Sequence, residues 1–164
     1  MKIELARIDD RFIHGQVLTK WLKLRPVERI IIVSDEVAHD EMRKILVLSV
    51  APSMVKASAI TIEKMARVFK SPKYRDTKTM LLFESPEDVL KLVELGVVLK
   101  EINVGGMRFE TNRKQLTKAV SVSQAHIEAF EQLHQHGVAL ELRQLPGDQS
   151  LDFYHVLKTQ QNKS

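Results

Sequence analysis

Leu5-Ala6-Arg7-Ile8-Asp9-Asp10-Arg11-Phe12-Ile13-His14-Gly15-Gln16-Val17 is the stretch around which the chain is organised. Ile3, Leu5 and Ala6 read as a buried first strand, predicted over Lys2 to Ala6. Two arginines and two aspartates then crowd into five residues. His14 follows where a helix begins, with Val17, Leu18, Trp21 and Leu22 at helical spacing and Pro26 beyond its end. Strand, polar loop, histidine and helix is an order suited to holding a phosphoryl group.

Outward from there, strand-like and helix-like segments alternate, the pattern of a largely parallel sheet with helices on both faces. Ile30-Ile31-Ile32-Val33 is a continuous apolar run, as expected of a strand covered on both sides, and Asp35 sits at its carboxyl end. A helix is predicted from Val37 to about Ser49, with Met42, Ile45, Leu46 and Leu48 toward the core. Val55 to Ile60 and Thr79 to Phe83 read as strands, with a Thr61-capped helix from Ile62 to Phe69 between them. Ser85-Pro86-Glu87-Asp88 combines a cap, a first-turn proline and acids at the positive helix end, and the helix should close at Gly96. Glu101 to Val104 runs into Gly105-Gly106-Met107. Val120-Ser121-Val122 is a further short strand, and Ser123 caps a helix reaching about His136. Val138 to Arg143 alternates like an edge strand, and Leu151 to Leu157 is a final helix before a polar tail. The expected fold is a single α/β domain over residues 1–164, an open, mostly parallel sheet of about seven strands. Ligands bind such sheets at the carboxyl ends of the strands. Three turns should meet there: Arg7 to His14, Ser34-Asp35 and Gly105-Gly106-Met107.

Composition narrows the chemistry. The 164 residues hold no cysteine, which removes disulfides, thiolate catalysis and cysteine-based metal sites. The N-terminus carries Glu4, Arg7, Asp9, Asp10 and Arg11, so it contains no signal-peptide core. No apolar run approaches the roughly 20 residues of a membrane span. A net charge of +4 is mild and reads as a solvated surface rather than as nucleic-acid binding.

Neutral imidazole is a nucleophile near pH 7 and can carry phosphate as a labile phosphoramidate. Backbone N–H groups at the start of the following helix, including those of Gly15 and Gln16, can cradle phosphate oxygens with help from the helix dipole. Gly15 lets that backbone come close. Arg11 and Arg7 can offer forked donors to the phosphoryl oxygens. Asp10, or Asp9, would hold an arginine or the imidazole in place, while Asp35, Gly105 and Gly106 would complete the rim. Phosphoryl transfer asks mainly for positioning and charge stabilisation, so no metal or other cofactor is expected. The plain alternative is that His14 only fills the first helical turn. His134 and His136 diverge around a helix and are expected at the surface; Phe12, Trp21 and Phe83 are expected in the core. A basic-surface binding module and a regulatory reporter, whose phosphorylation state changes a partner's activity, are the competing functions.

The stretch Arg7 to Val17 closely resembles the signature of IIB subunits of mannose-family (mannose/fructose/sorbose) bacterial sugar phosphotransferase systems. The resemblance continues through Val33-Ser34-Asp35-Glu36-Val37, Ala51-Pro52, Met80-Leu81-Leu82-Phe83, Asn103-Val104-Gly105-Gly106-Met107 and Ala119-Val120-Ser121-Val122. It implies a seven-stranded, mostly parallel sheet and a cytoplasmic phosphohistidine carrier associated with a membrane permease. By position, His14 would be the phosphorylated residue and Arg11 its phosphate-binding neighbour. The implied partners are a IIA phosphocarrier, membrane IIC and IID subunits and a sugar, with no nucleic acid. Phe12, Asp40-Glu41-Met42-Arg43-Lys44 and Gly106-Met107-Arg108-Phe109-Glu110 lean toward fructose (levan-type) members; mannose, sorbose and N-acetylgalactosamine stay open. Two proteins must reach the histidine in turn, so its rim is expected to be open, and the chain is expected to be a free-standing IIB.

Overall fold

A computed structural model describes residues 1–161, and its strands and helices alternate as their patterns require. In chain order these are β1 Lys2–Asp9, α1 Gly15–Leu24, β2 Arg29–Val33, α2 Asp35–His39, α3 Glu41–Leu48, β3 Lys56–Ile60 and α4 Ile62–Lys70. Then come β4 Lys78–Phe83, α5 Pro86–Glu94, β5 Glu101–Gly106, β6 Lys114–Gln115, β7 Ser121–Val122, α6 Gln124–Gln135, β8 Ala139–Leu142, β9 Leu151–Asp152 and α7 Phe153–Gln161. The main sheet has seven strands in the order β3-β2-β4-β1-β5-β8-β9. All its pairings are parallel except β8 with β9.

Strand periodicity divides the core into two layers, one on each side of the sheet. Ile30, Ile32, Met80 and Leu82 pack with Leu18 and Trp21 of α1 and Val37 of α2. Ile31, Val33, Leu81 and Phe83 face the other way, toward Met65 of α4, Leu92 of α5, Phe130 of α6 and Leu157 of α7. Each such side chain contributes roughly 1.5–3 kcal/mol by leaving water. Helices therefore cover both faces, and the fold class expected from the sequence is the one observed. Phe12, Trp21 and Phe83 are core residues, 3%, 0% and 0% exposed, while His134 and His136 lie at the surface.

Three expectations change. The helix predicted from Val37 to Ser49 is two helices, because the Asp40 carboxylate accepts from the Arg43 N–H and caps a new start. The second helix turns Val47 and Leu48 inward and leaves Met42, Ile45 and Leu46 outside, 69%, 62% and 62% exposed. Ser121–Val122 leaves the main sheet to form an antiparallel ribbon with Lys114–Gln115. The seventh strand is instead Leu151–Asp152, where the last helix was expected to begin; it pairs antiparallel with β8, which is thus not the edge. Two residues are too few to display a period of two.

The connection after β1 runs toward β2 on one side, and the connection after β5 runs toward β8 on the other. β1 and β5 are neighbours, so a crevice opens between their carboxyl ends, the place where open α/β sheets bind ligands.

Candidate functional site

At that crevice β1 is longer than its apolar run suggests, and pairs with β5 as far as Asp9. Arg7 and Asp9, two residues apart, share one face of the strand. Asp9 is fully buried, and its carboxylate is surrounded by donors. Oδ1 accepts from the Arg11 backbone N–H at 3.1 Å and from Arg11 Nε at 3.2 Å. Oδ2 meets an Arg7 guanidinium nitrogen at 3.1 Å, an Arg11 guanidinium nitrogen at 3.4 Å and His14 Nε2 at 2.8 Å. Burial opposes ionisation here. The bonds from His14 and the Arg11 N–H, with the Arg7 charge, prevail and hold the carboxyl below the usual carboxylate range.

An ionised carboxylate can only accept, so Nε2 is a protonated nitrogen of His14, and the neutral imidazole has its lone pair on Nδ1. His14 occupies the position before the first helical residue of α1 in extended backbone, φ −141° and ψ 124°, and its side chain makes no cap bond. By contrast, α2 to α6 are capped by Ser34, Asp40, Thr61, Ser85 and Ser123. No side chain therefore caps the first N–H groups of α1, which follow directly on His14. The His14 side chain is 20% exposed, and Arg11, Gly15 and Gln16 around it are exposed. Gly15 sits at φ +48° with no atom within 4 Å of where a Cβ would stand. Conformation rather than space calls for glycine there. Phe12 is also left-handed, at φ +55°, which costs on the order of 1–3 kcal/mol in a non-glycine residue. Its ring is buried beneath the Arg43 guanidinium, 5.7 Å from the ring centre.

The other expected residues fall into place unevenly. Arg7 is 2% exposed and lies beneath Asp9, not at the rim where an arginine could meet solvent. Gly105 and Gly106 border the site less as amide donors than by leaving room for side chains. A Cβ on Gly105 would stand 2.1 Å from the Arg7 guanidinium carbon, and one on Gly106 would stand 3.2 Å from both Arg11 and Asp9. Asp10, expected to hold an arginine side chain or the imidazole, instead accepts from the Arg108 backbone N–H at 2.7 Å and braces the loop after β5. Asp9 has the role considered for either aspartate. Asp35 turns away to the Ile62 N–H at 2.9 Å and Lys91 Nζ at 3.4 Å. It joins Glu36, Glu84 and Asp88 in a separate acidic recess. A cleft of about 370 Å³ runs from Arg11 past Gly106 and Arg108 to Lys118 and Gln144.

Two residues not read as part of the site complete the arrangement. Asn103 stands opposite Arg7 in the β1–β5 register and accepts from it at 2.6 Å. Trp21 lies beside the guanidinium groups of Arg7 and Arg143, at 5.6 and 4.9 Å from its ring centre. The available signal was the alternation of Arg7 and Asp9, which extends β1 by three residues beyond Ala6.

Comparison with known proteins gives the family. The family model described as the sorbose-subfamily IIB component of the phosphotransferase system matches residues 3–164. The fructose-specific EIIB component of Bacillus subtilis (strain 168) is 60% identical over 158 residues, covering 96% of this chain and 97% of that one. The mannose-specific EIIAB component of Escherichia coli (strain K12) is 51% identical over 157 residues; the match covers 96% of this chain but only 49% of that longer protein. A solved structure titled phosphoenolpyruvate-dependent phosphotransferase system superposes with a TM-score of 0.95 at 60% identity, covering 97% of this chain and 99% of the other. With a match from residue 3 to residue 164 and a seven-stranded sheet of the same form, the chain belongs to the sorbose-subfamily IIB components of the phosphotransferase system, phosphotransferases that pass phosphate to sugar.

Proposed function

We propose that His14 carries the phosphoryl group on Nδ1, receiving it from a phosphohistidine of a IIA protein and giving it to a sugar. The observation that carries this reading is the 2.8 Å contact of His14 Nε2 with the buried Asp9 carboxylate. It fixes the ring, keeps the proton on Nε2 and leaves Nδ1 as the nitrogen available to phosphate, at the uncapped start of α1.

In the first step the Nδ1 lone pair attacks phosphorus in line, a new P–N bond forms and the donor imidazole leaves with its electron pair. The ring now bears Nδ1–P and Nε2–H, a cation whose charge Asp9 balances. Arg11 and the N–H groups of Gly15, Gln16 and Val17 bind the phosphoryl oxygens. In the second step a sugar hydroxyl attacks phosphorus, the P–N bond breaks and Nδ1 recovers its lone pair; the hydroxyl proton leaves to solvent or to the sugar-binding partner. The cationic ring is the better leaving group, so keeping Nε2 protonated favours this release.

The sugar is fructose in this proposal, a reading supported by the name of the Bacillus subtilis relative at 60% identity. The sugar reaches His14 through membrane IIC and IID subunits, and the chain works in the cytoplasm at the permease surface. No helix among the described residues is long and apolar enough to cross a membrane, in keeping with that role. The partly open rim suits visits by two partners in turn.

The test is incubation with phosphoenolpyruvate, the general phosphotransferase proteins and a cognate IIA, followed by mass spectrometry under non-acidic conditions. One phosphate on the wild type and none on His14→Ala is expected. A phosphate on both, or on neither with active upstream proteins, would remove His14 from the reaction.

A further inference from the structure

Arg7 is the charged residue of the site that the phosphoryl chemistry above does not use. It is also the most constrained. One guanidinium nitrogen donates to Asn103 Oδ1 at 2.6 Å and to the Arg143 carbonyl at 3.2 Å; the other reaches Asp9 Oδ2 at 3.1 Å. Asn103, 1% exposed, is itself fixed by donating to Glu141 Oε1 at 2.9 Å and the Arg143 carbonyl at 3.0 Å. Trp21 forms a wall for the guanidinium, and Gly105 provides the space it fills. A guanidinium stays protonated in proteins, so this is a permanent positive charge in a dry place.

An unopposed buried carboxylate bonded to histidine has a predictable consequence. It stabilises the imidazolium, and an imidazolium has no lone pair at Nδ1 with which to attack phosphorus. We propose that Arg7 is a positioning residue whose buried charge offsets that of Asp9, so that Asp9 orients His14 without converting it to an unreactive imidazolium. Asn103 and Gly105 hold Arg7 where it does this. The inference deepens the phosphohistidine reading and rests on it.

The charged groups around His14 fit such a balance. Asp9 and Arg11 belong to its own loop, and Arg11 is half-exposed, so solvent screens it. Arg7 stands behind Asp9 on β1. Behind Arg7, Glu141 of β8 and Arg143 just beyond that strand pair with one another at 3.2 Å. Arg43 of α3, above Phe12, is occupied by Glu84 and Glu36. Asp10 is held by the Arg108 N–H. Arg7 is thus the buried cation that answers Asp9.

The test is the pH profile of IIA-dependent His14 phosphorylation in the full chain, read by mass spectrometry, for Arg7→Met, Arg7→Lys and Gly105→Ala. In Arg7→Met the acid limb should move up by about one pH unit. The rate on the acid side of neutrality then falls about tenfold and recovers as pH rises. Arg7→Lys keeps the charge and should keep the wild-type limb at a lower rate. Gly105→Ala retains every charge but drives a methyl group into the guanidinium, and should move the limb as Arg7→Met does. Fluorescence of Trp21, the single tryptophan, reports the displacement and whether the variants fold. If Arg7→Met does not fold, the Gly105→Ala profile decides. A displaced Arg7 with an unmoved limb, or a rate lowered by one factor at every pH, would overturn the inference and leave Arg7 merely structural. Those outcomes still require phosphate on wild-type His14. Absence of that label would overturn the phosphohistidine reading itself, and this inference with it.

Discussion

Asp9 and Asp88 stand at the same end of the sheet, and burial opposes ionisation of both; their neighbours send them in opposite directions. Asp9 meets an imidazole, two guanidinium groups and a backbone N–H, and is held below the usual carboxylate range. Asp88 meets Glu84, Asp35, Glu87 and Glu36, and burial together with these like charges pushes it up to about 7. Arg43 and Lys91 answer part of that acidic recess, pairing with Glu84 and Asp35. Partners, more than depth, decide whether a carboxylate becomes a fixed anchor or a proton-holding group. The histidine has the first kind behind it.

The sharpest way to break this comparison is to remove the anchor. Asp9→Leu would leave Arg7 buried without its counter-charge, and should cost about 3–5 kcal/mol of stability, measured by denaturant unfolding. It should also abolish phosphorylation of any folded fraction, since nothing then orients His14. A fully stable variant would mean that Arg7 does not need Asp9.

Arg11→Ala comes next. It removes charge-assisted bonds to the phosphoryl group and two bonds to Asp9, and should lower the phosphorylation rate by the equivalent of about 1–3 kcal/mol. Single-turnover kinetics against a phosphorylated IIA would reveal the change, and unaltered kinetics would take Arg11 out of the site.

The smallest effect belongs to Asp88, and its sign is opposite to that of Asp9. The unfolded chain releases the Asp88 proton near pH 4, whereas the folded chain keeps it until about pH 7. Folding therefore binds a proton between those values, and stability falls as pH rises through that window. Asp9, with its folded value depressed, contributes stability that is present above about pH 4 and lost as pH falls further. Asp88→Asn should raise stability by about 1 kcal/mol at slightly alkaline pH, after discounting for solvent screening, and do little near pH 4. Thermal melts of both proteins at the two pH values would check it; equal gains at both would detach the effect from titration.

Local signals made much of this molecule legible in the sequence. The Ile30 to Val33 run, the Ser85-Pro86 start and the histidine between a polar loop and an amphipathic helix each announce their own structure. Where reading failed, the deciding partner lay far along the chain or the signal was too short. Arg7 looks like a phosphate ligand until Asn103 and Arg143, 96 and 136 residues away, bring it under the surface. Asp40 carried its signal openly, an aspartate three residues before the N–H it caps, but the apolar spacing from Val37 to Leu48 hid the break. The division of labour between Asp9 and Asp10 turns on a strand that continues past its apolar part.

The central claim is that Asp9 holds Nε2 and leaves Nδ1 to take the phosphate. Nitrogen-15 NMR of the phosphorylated protein, with His14→Ala to assign the signal, tests it most directly. A phosphoryl group on Nδ1 of His14, with Nε2 still bearing its proton, is the predicted result. A phosphoryl group on Nε2 would break the Asp9 contact and contradict the account.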